Sequence, residues 1–161
     1  PKYSMHGVGP YGNAQQLVES LMSQCSNHIC VGTCDDERTL YFFKWDPRLE
    51  NRGYEFRVFV RDGTITAISQ QEWFEHIRAL DDWDQTDVET LYRMLNDHLR
   101  TWGPYVPQSC CLDVWCDLTD VVFIEANPYE YSSGSSLFHW EIDKHKLDDL
   151  ENVYFRCVGA N

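Results

Sequence analysis

No stretch of the 161 residues approaches the ~18–20 consecutive apolar residues that a membrane span requires. The start of the chain also lacks the basic and apolar sections of a secretory signal. No membrane partner is expected, and the expected location is cytoplasmic. Basic residues are scarce: thirteen Lys and Arg against twenty-six Asp and Glu leave a formal charge of -13. A surface of that sign does not hold phosphate backbones by counterion release, so nucleic acid is disfavoured as a partner. Missing too are a Walker-type Gly-rich loop ending in Lys and Ser or Thr, a dinucleotide fingerprint opening a helix, and a nucleophile elbow. The six His are too dispersed to assign a catalytic base. The seven Cys, at positions 25, 30, 34, 110, 111, 116 and 157, show no regular disulfide spacing and fit reduced thiols. Cys25, His28, Cys30 and Cys34 lie close together but lack the paired C-x-x-C knuckles of a zinc site. Small, buried, inert thiols are the expectation.

What the chain does have is a 43% hydrophobic composition, enough for one compact core that buries roughly 70% of the unfolded surface without staples. Gly7, Gly9, Pro10 and Gly12 make the first residues a loop suited to close backbone approach or a mobile flap. Asn13 can cap a helix running to about Ser23, and Thr39 to Trp45 reads as a strand. Tyr54 to Arg61 alternates, turns at Asp62-Gly63 and continues as Thr64 to Gln70, the clearest hairpin in the sequence. Glu72 to Leu80 is a short helix candidate. Thr86 to Trp102 is a stronger one, with Val88, Leu91, Leu95 and Leu99 on one face and Gly103-Pro104 as its stop. Cys110 to Cys116 and Asp120 to Asn127 read as two more strands, and Leu137 to Leu150 carries mixed helical signals. The sum is an α+β domain whose antiparallel strands outnumber its helices, with helices packed on one side of the sheet.

The most informative residues are Asp113, Glu125 and Asn127. Glu125 and Asn127 are two apart, so in a strand they point to one face, where Asp113 on a neighbouring strand can converge with them. Two carboxylates and an amide, with no thiol or imidazole, form a hard-oxygen set suited to Mg²⁺ held jointly with substrate phosphates, which points towards ATP. The competing reading is a polar rim where Asn127-Pro128 turns the chain. Lys2 and Lys44 each lie near the end of a strand-like segment, where an ammonium can neutralise phosphate, although strand-end lysines are usually just solvated. Arg57 shares a face with Glu55 and Phe59, and the Glu55 carboxylate is placed to orient its guanidinium; a purely structural ion pair is the alternative.

Several segments taken together resemble the cell division cycle protein 123 family, whose members look like reduced versions of the ATP-grasp fold. Phe43-Lys44-Trp45 resembles the family's strand of a basic residue, Lys and Trp. Glu55-Phe56-Arg57-Val58-Phe59-Val60 with Ile68-Ser69-Gln70 resembles its central hairpin. Asp113 precedes Ile124-Glu125-Ala126-Asn127-Pro128-Tyr129, and Ser136-Leu137-Phe138-His139-Trp140-Glu141 resembles its closing element. Pro1-Lys2 with Ser4 is similar to the segment carrying an ATP-binding Lys. The resemblance implies one ATP-grasp-like domain over 1–161, short of the portion that precedes that Lys in family members. Residues 1–45 would form the flap and the phosphate and adenine side, and 54–141 the metal-binding sheet side. It further implies that Asp113, Glu125 and Asn127 coordinate Mg²⁺, that Lys2 and Lys44 approach the ATP phosphates, and that Tyr41, Phe42 and Phe43 border adenine. Arg57 and Gln70 match family blocks in type and place and join the nucleotide set. Three positions depart from the pattern: Glu125 stands where Asp is usual, Gln71 where a basic residue is usual, and Gly134 where an acid is usual. The first preserves oxygen ligation; the other two weaken a partner-binding or terminal-phosphate role at those positions.

The function implied is that of a non-catalytic ATP- and Mg²⁺-dependent assembly chaperone for a protein partner such as the gamma subunit of translation initiation factor two. The alternative is an ATP-grasp ligase of the carboxylate-amine or RNA ligase type, against whose RNA branch the negative charge weighs. A binding module with a decayed nucleotide site is the third reading. The metal set and lysines serve either of the first two, because phosphoryl chemistry is mainly positioning and electrostatics.

Overall fold

The computed structural model describes residues 11–22 and 44–159. The chain divides into two units, 1–50 and 51–161. In the first, helix α1 covers Ala14–Met22, and its start is capped where Asn13 Oδ1 accepts from the Gln16 N–H at 2.9 Å. Near the end of this unit the Arg48 guanidinium holds the Asp46 carboxyl down at about 2 by hydrogen bonding.

The second unit is built on a five-stranded sheet. β1 (Glu55–Arg61), β2 (Thr64–Gln70), β3 (Cys110–Cys116), β4 (Val121–Pro128) and β5 (Tyr154–Arg156) lie in the order β4-β3-β1-β2-β5. β1 pairs antiparallel with β2 and β3, and β3 with β4, as the alternating sequence patterns require. Asp62 (φ 49°) and Gly63 (φ 79°) both take left-handed backbone at the tight β1–β2 turn, which is why an Asp-Gly pair stands there. The short β5 runs parallel to β2 and makes the sheet mixed. Three residues at Tyr154 are too few to show a period, so this strand has no signature in the sequence.

Helix α2 (Gln85–Trp102) lays Leu91, Leu95 and Leu99 onto one face of the sheet, against Phe56, Val58, Ile68, Leu112 and Val114. Its start is a capping box. Asp84 Oδ1 accepts from the N–H groups of Thr86 (2.7 Å) and Asp87 (3.1 Å), and Asp87 Oδ2 accepts from the Asp84 N–H at 3.0 Å. The expected helix over Glu72–Leu80 does not form; only a 3₁₀ turn at Arg78–Leu80 does. Trp73, Ile77 and Leu80 have helical spacing, but Trp73 and Phe74 stay exposed, and only the far end of the segment is drawn in, with Ile77 packed against the core and Leu80 buried in it. Gln70 competes for the backbone too: its Nε2 donates to both Glu72 O and Glu75 O.

The other sheet face is covered by the four-residue helix α3 (Lys144–Leu147) and irregular chain, through Phe138, Trp140 and Leu147 against Phe59, Ala67 and Cys111. An ion pair fastens this cover to β5. Arg156 donates to both oxygens of the buried Asp143 (2.6 and 2.7 Å) and to Leu137 O at 3.0 Å, and its guanidinium lies 4.3 Å from the Phe138 ring centroid. The hydrogen bond from Arg156 holds the Asp143 carboxyl down at about 2, against the opposing effect of burial. A carboxyl lowered by folding contributes stability above its unfolded value near 4 and loses it as the pH falls through about 2. Thermal melts between pH 5 and pH 2 should therefore show a steeper fall in Tm for the native chain than for Asp143→Asn, which starts lower at neutral pH. Parallel curves would remove this pair from the acid response.

Candidate functional site

Register places the candidate residues. The Cα pairings Arg156–Ser69, Ser69–Arg57, Arg57–Asp113 and Asp113–Glu125 run through all five strands as one polar row. Residues directly opposite share a face, so these side chains stand on the face away from α2. The adjacent row, Tyr154, Ala67, Phe59, Cys111 and Asn127, is apolar until it reaches Asn127. That apolar row is the part covered by Phe138, Trp140 and Leu147. The polar row borders it.

At its centre Arg57 makes a fork on Asp113, with Nε to Oδ1 and Nη2 to Oδ2 both at 2.8 Å. Asp113 is 1% exposed and Arg57 8%. Burial alone would lower the Arg57 pKa, but the hydrogen bonds and charge of Asp113 outweigh it and the net shift is upward. The partner of Arg57 is thus Asp113 and not Glu55, which instead lies 3.8 Å from Arg52. The hairpin alternation shows only near neighbours on one strand, and the decisive partner comes from β3.

Further groups close on the same carboxylate. Gln71 Nε2 donates to Asp113 Oδ2 at 3.3 Å, and Asn127 Nδ2 to the same oxygen at 3.5 Å and to Glu125 Oε1 at 3.3 Å. A break in register between Asp113 and Val114 lets β4 bring Glu125 opposite Asp113 although Phe123 is opposite Val114. From the far side, the loop after β4 reaches back: Arg57 Nη1 donates to Ser133 O, and Ser136 Oγ donates to Gln71 Oε1 at 2.8 Å. Gly134 has φ 69°, and a Cβ there would sit 3.2 Å from Arg57 Nη1. Backbone and packing therefore both oppose a side chain at this position.

The structure brings together four of the expected site residues, Arg57, Asp113, Glu125 and Asn127. Gln70 is elsewhere. It pairs with Phe56 on the α2 face, is 1% exposed, and spends its amide on Glu72 O, Glu75 O and the Val158 N–H (3.0 Å). Lys2, Tyr41, Phe42 and Phe43 lie outside the described residues. Lys44 is exposed in the first unit. Sequence reasoning missed Gln71, Ser133 and Ser136 as members of the group, because 42 to 76 residues separate them from their partners and only the fold closes the gap.

The set is an oxygen set. Among the described residues no group of three or more His, Cys, Asp and Glu gathers as a metal site, so any cation here takes two carboxylates, an amide oxygen, water and ligand oxygens. Asn127 already spans Asp113 and Glu125 through Nδ2; turning its amide over would present Oδ1 between them. Among the described residues no thiol joins the set. Cys111 is in the next row, and burial pushes it up to about 12, while Cys110 and Cys116 are pushed up to about 11.

With the geometry in hand, the likeness to known proteins is informative. The family model D123 matches residues 17–161. This chain belongs to the D123 family. A Candida albicans protein named translation initiation factor eIF2 assembly protein is 31% identical over 130 residues, which cover 72% of this chain and 36% of that protein. A protein of the same name from Danio rerio is 27% identical over 99 residues, covering 61% of this chain and 27% of that protein. This D123 member thus spans about a third of the length of the curated relatives it matches. Among solved structures, Cdc123 from Schizosaccharomyces pombe superposes with a TM-score of 0.55 at 18% identity, over 69% of this chain and 43% of that one. Its C-terminally truncated form gives 0.53 at 17%. At that identity the likeness bears on the fold, and it agrees with the α+β architecture.

Proposed function

We propose that this D123-family chain binds ATP with Mg²⁺ and acts as a nucleotide-dependent assembly factor for a protein partner, such as the gamma subunit of translation initiation factor two. The observation that carries the nucleotide half is the register-paired Asp113 and Glu125, bridged by Asn127, beside a buried Arg57. Asp113, Glu125 and Asn127 would hold the cation, whose chemistry when bound is to neutralise phosphate oxygens that an acidic chain otherwise repels. Arg57 orients the Asp113 side chain by its fork, and Gln71 and Asn127 hold it from two further sides. The names of the curated relatives support the partner half. Binding without turnover would order this surface and favour the partner-competent form by linkage. An ATP-grasp fold and a contribution from Lys2 and Lys44 to the phosphates belong to the same proposal.

The test is calorimetric titration of ATP into the chain with and without Mg²⁺, followed by analysis of the mixture for ADP and AMP. Binding that depends on Mg²⁺, with ATP recovered intact, is the expected result. Glu125→Ala and Asn127→Ala should each weaken it at least about tenfold, the loss of one charge-assisted contact. Both side chains reach solvent, so the melts should stay close to the native one. ATP affinity unchanged in both folded variants would sink the metal assignment, and release of ADP or AMP would make the chain a ligase.

A further inference from the structure

On leaving β2 the chain makes a turn whose backbone is held from several sides while its two largest side chains are left in water. Gln70 Nε2 donates to Glu72 O and Glu75 O at 2.5 Å each. The Gln71 N–H donates to Glu55 O at 3.0 Å, the Trp73 N–H to Gln71 O at 2.9 Å and the Glu75 N–H to Glu72 O at 3.2 Å. Glu72 is buried and ion-paired to Arg52. Yet Trp73 is 58% exposed and Phe74 63%, their rings edge to face with centroids 5.6 Å apart. Nothing in the core calls for two adjacent aromatics here. Leu80, ten residues after Gln70, is what anchors the segment in the apolar cluster. A pinned backbone presenting a rigid aromatic pair matches the economy of a binding hot spot, where large rings contribute area at little entropic cost.

Charge decides what would cover them. Residues 71–84 carry five acids against a single base, Arg78. Glu75, Asp81 and Asp82 are exposed, and His76 Nε2 lies 2.5 Å from Asp81 Oδ1, which ties the Asp81-Asp82 pair back to the aromatic turn. The chain as a whole carries -13. A phosphate-bearing partner is repelled by this field, and a purely apolar one would leave the carboxylates unanswered. An arginine satisfies both features, because its guanidinium stacks on an aromatic face and forks onto a carboxylate.

We propose that the Trp73–Phe74 turn is a docking surface for a basic, arginine-bearing segment of a protein partner. The turn adjoins the nucleotide site proposed above through Gln71, but its contact groups Trp73, Phe74, Glu75 and Asp82 are none of that site's residues, so a chain that fails to bind ATP is still expected to show it.

The test is fluorescence anisotropy of fluorescein-labelled nona-arginine titrated with the full chain, without nucleotide, at low and at physiological salt. Trp73→Ala/Phe74→Ala should weaken binding at least tenfold while leaving the melting temperature close to native, as expected for exposed side chains. Glu75→Gln/Asp82→Asn should weaken it by a smaller factor and flatten its salt dependence. Nona-lysine should bind less tightly than nona-arginine, because an ammonium lacks the planar stacking face. Equal affinity of the Trp73/Phe74 variant, or equal binding of the two peptides, would reduce the effect to net charge and overturn the proposal. So would a melt that collapses on removing the two rings, preferential binding of a single-stranded oligonucleotide, or a dimer that the double variant dissociates.

Discussion

Arg57→Met is expected to lower the stability of the second unit by about 3–5 kcal/mol, the cost typical of removing one partner of a buried ion pair. The carboxylate left behind explains the size. Asp113 is 1% exposed, and its remaining donors, Gln71 at 3.3 Å and Asn127 at 3.5 Å, are neutral and long. Loss of Arg57 also frees Ser133 O, so the loop that closes over the row loses one of its holds on the sheet and keeps those from Ser136 to Gln71 and from Leu137 to Ser69. The double variant Arg57→Met/Asp113→Leu removes both charges and should regain much of the loss, since an apolar pair of similar volume often matches a buried ion pair. Urea unfolding of the two single variants and the double variant measures the coupling directly. Additive losses would mean that the pair is not a unit. If instead the double variant is as stable as the native chain yet no longer binds Mg²⁺ and ATP, the pair is kept for the site and not for the fold.

The second large effect is expected at Phe59. Phe59→Ala should cost about 3–5 kcal/mol, the range for removing a fully buried aromatic and leaving a cavity. Phe59 is 0% exposed and meets Phe138 and Trp140 edge to face, with centroids 5.6 and 5.5 Å away. It is the central contact through which the sheet holds the irregular cover over 137–147. Hydrogen exchange should therefore show earlier opening of that cover than of α2, which packs on the opposite face through Leu91, Leu95 and Leu99. A loss below about 1 kcal/mol would place Phe138 and Trp140 in contact with β1 without depending on it. For a unit whose total stability falls in the usual range of about 5–15 kcal/mol, either variant removes a sizeable fraction.

The two experiments bear on different rows of one sheet face, and that arrangement explains what could be read in advance. The hairpin, α2, β3 and β4 each carry a local signal: a two-residue period, an Asp-Gly turn, a Leu stripe with a Gly-Pro stop, a run of apolar residues. Their limits in the structure fall close to those expected from the residues alone. Glu125 and Asn127 share a face because they are two apart in a strand, which is again a local rule. That much the amino-acid sequence determined by itself, together with the net negative charge and the family to which the chain belongs.

Tertiary structure decided the rest. Whether Arg57 is answered by Glu55 or Asp113 depends on which strand lies beside β1, and strand order is a property of the whole sheet. Ser69 and Gln70 differ by one residue, yet one faces the polar row and the other the α2 core, where its amide is consumed in holding a turn. The register that makes this choice is set by turn geometry and by the packing of α2, and neither is written at Gln70 itself. β5 and the 3₁₀ turn at Arg78–Leu80 are too short to carry a period, so pairing with β2 and the Arg156–Asp143 ion pair select the first, and burial of Leu80 in the core selects the second. Local periodicity shows where an element is and which of its side chains share a face; only the assembled sheet shows what stands opposite them.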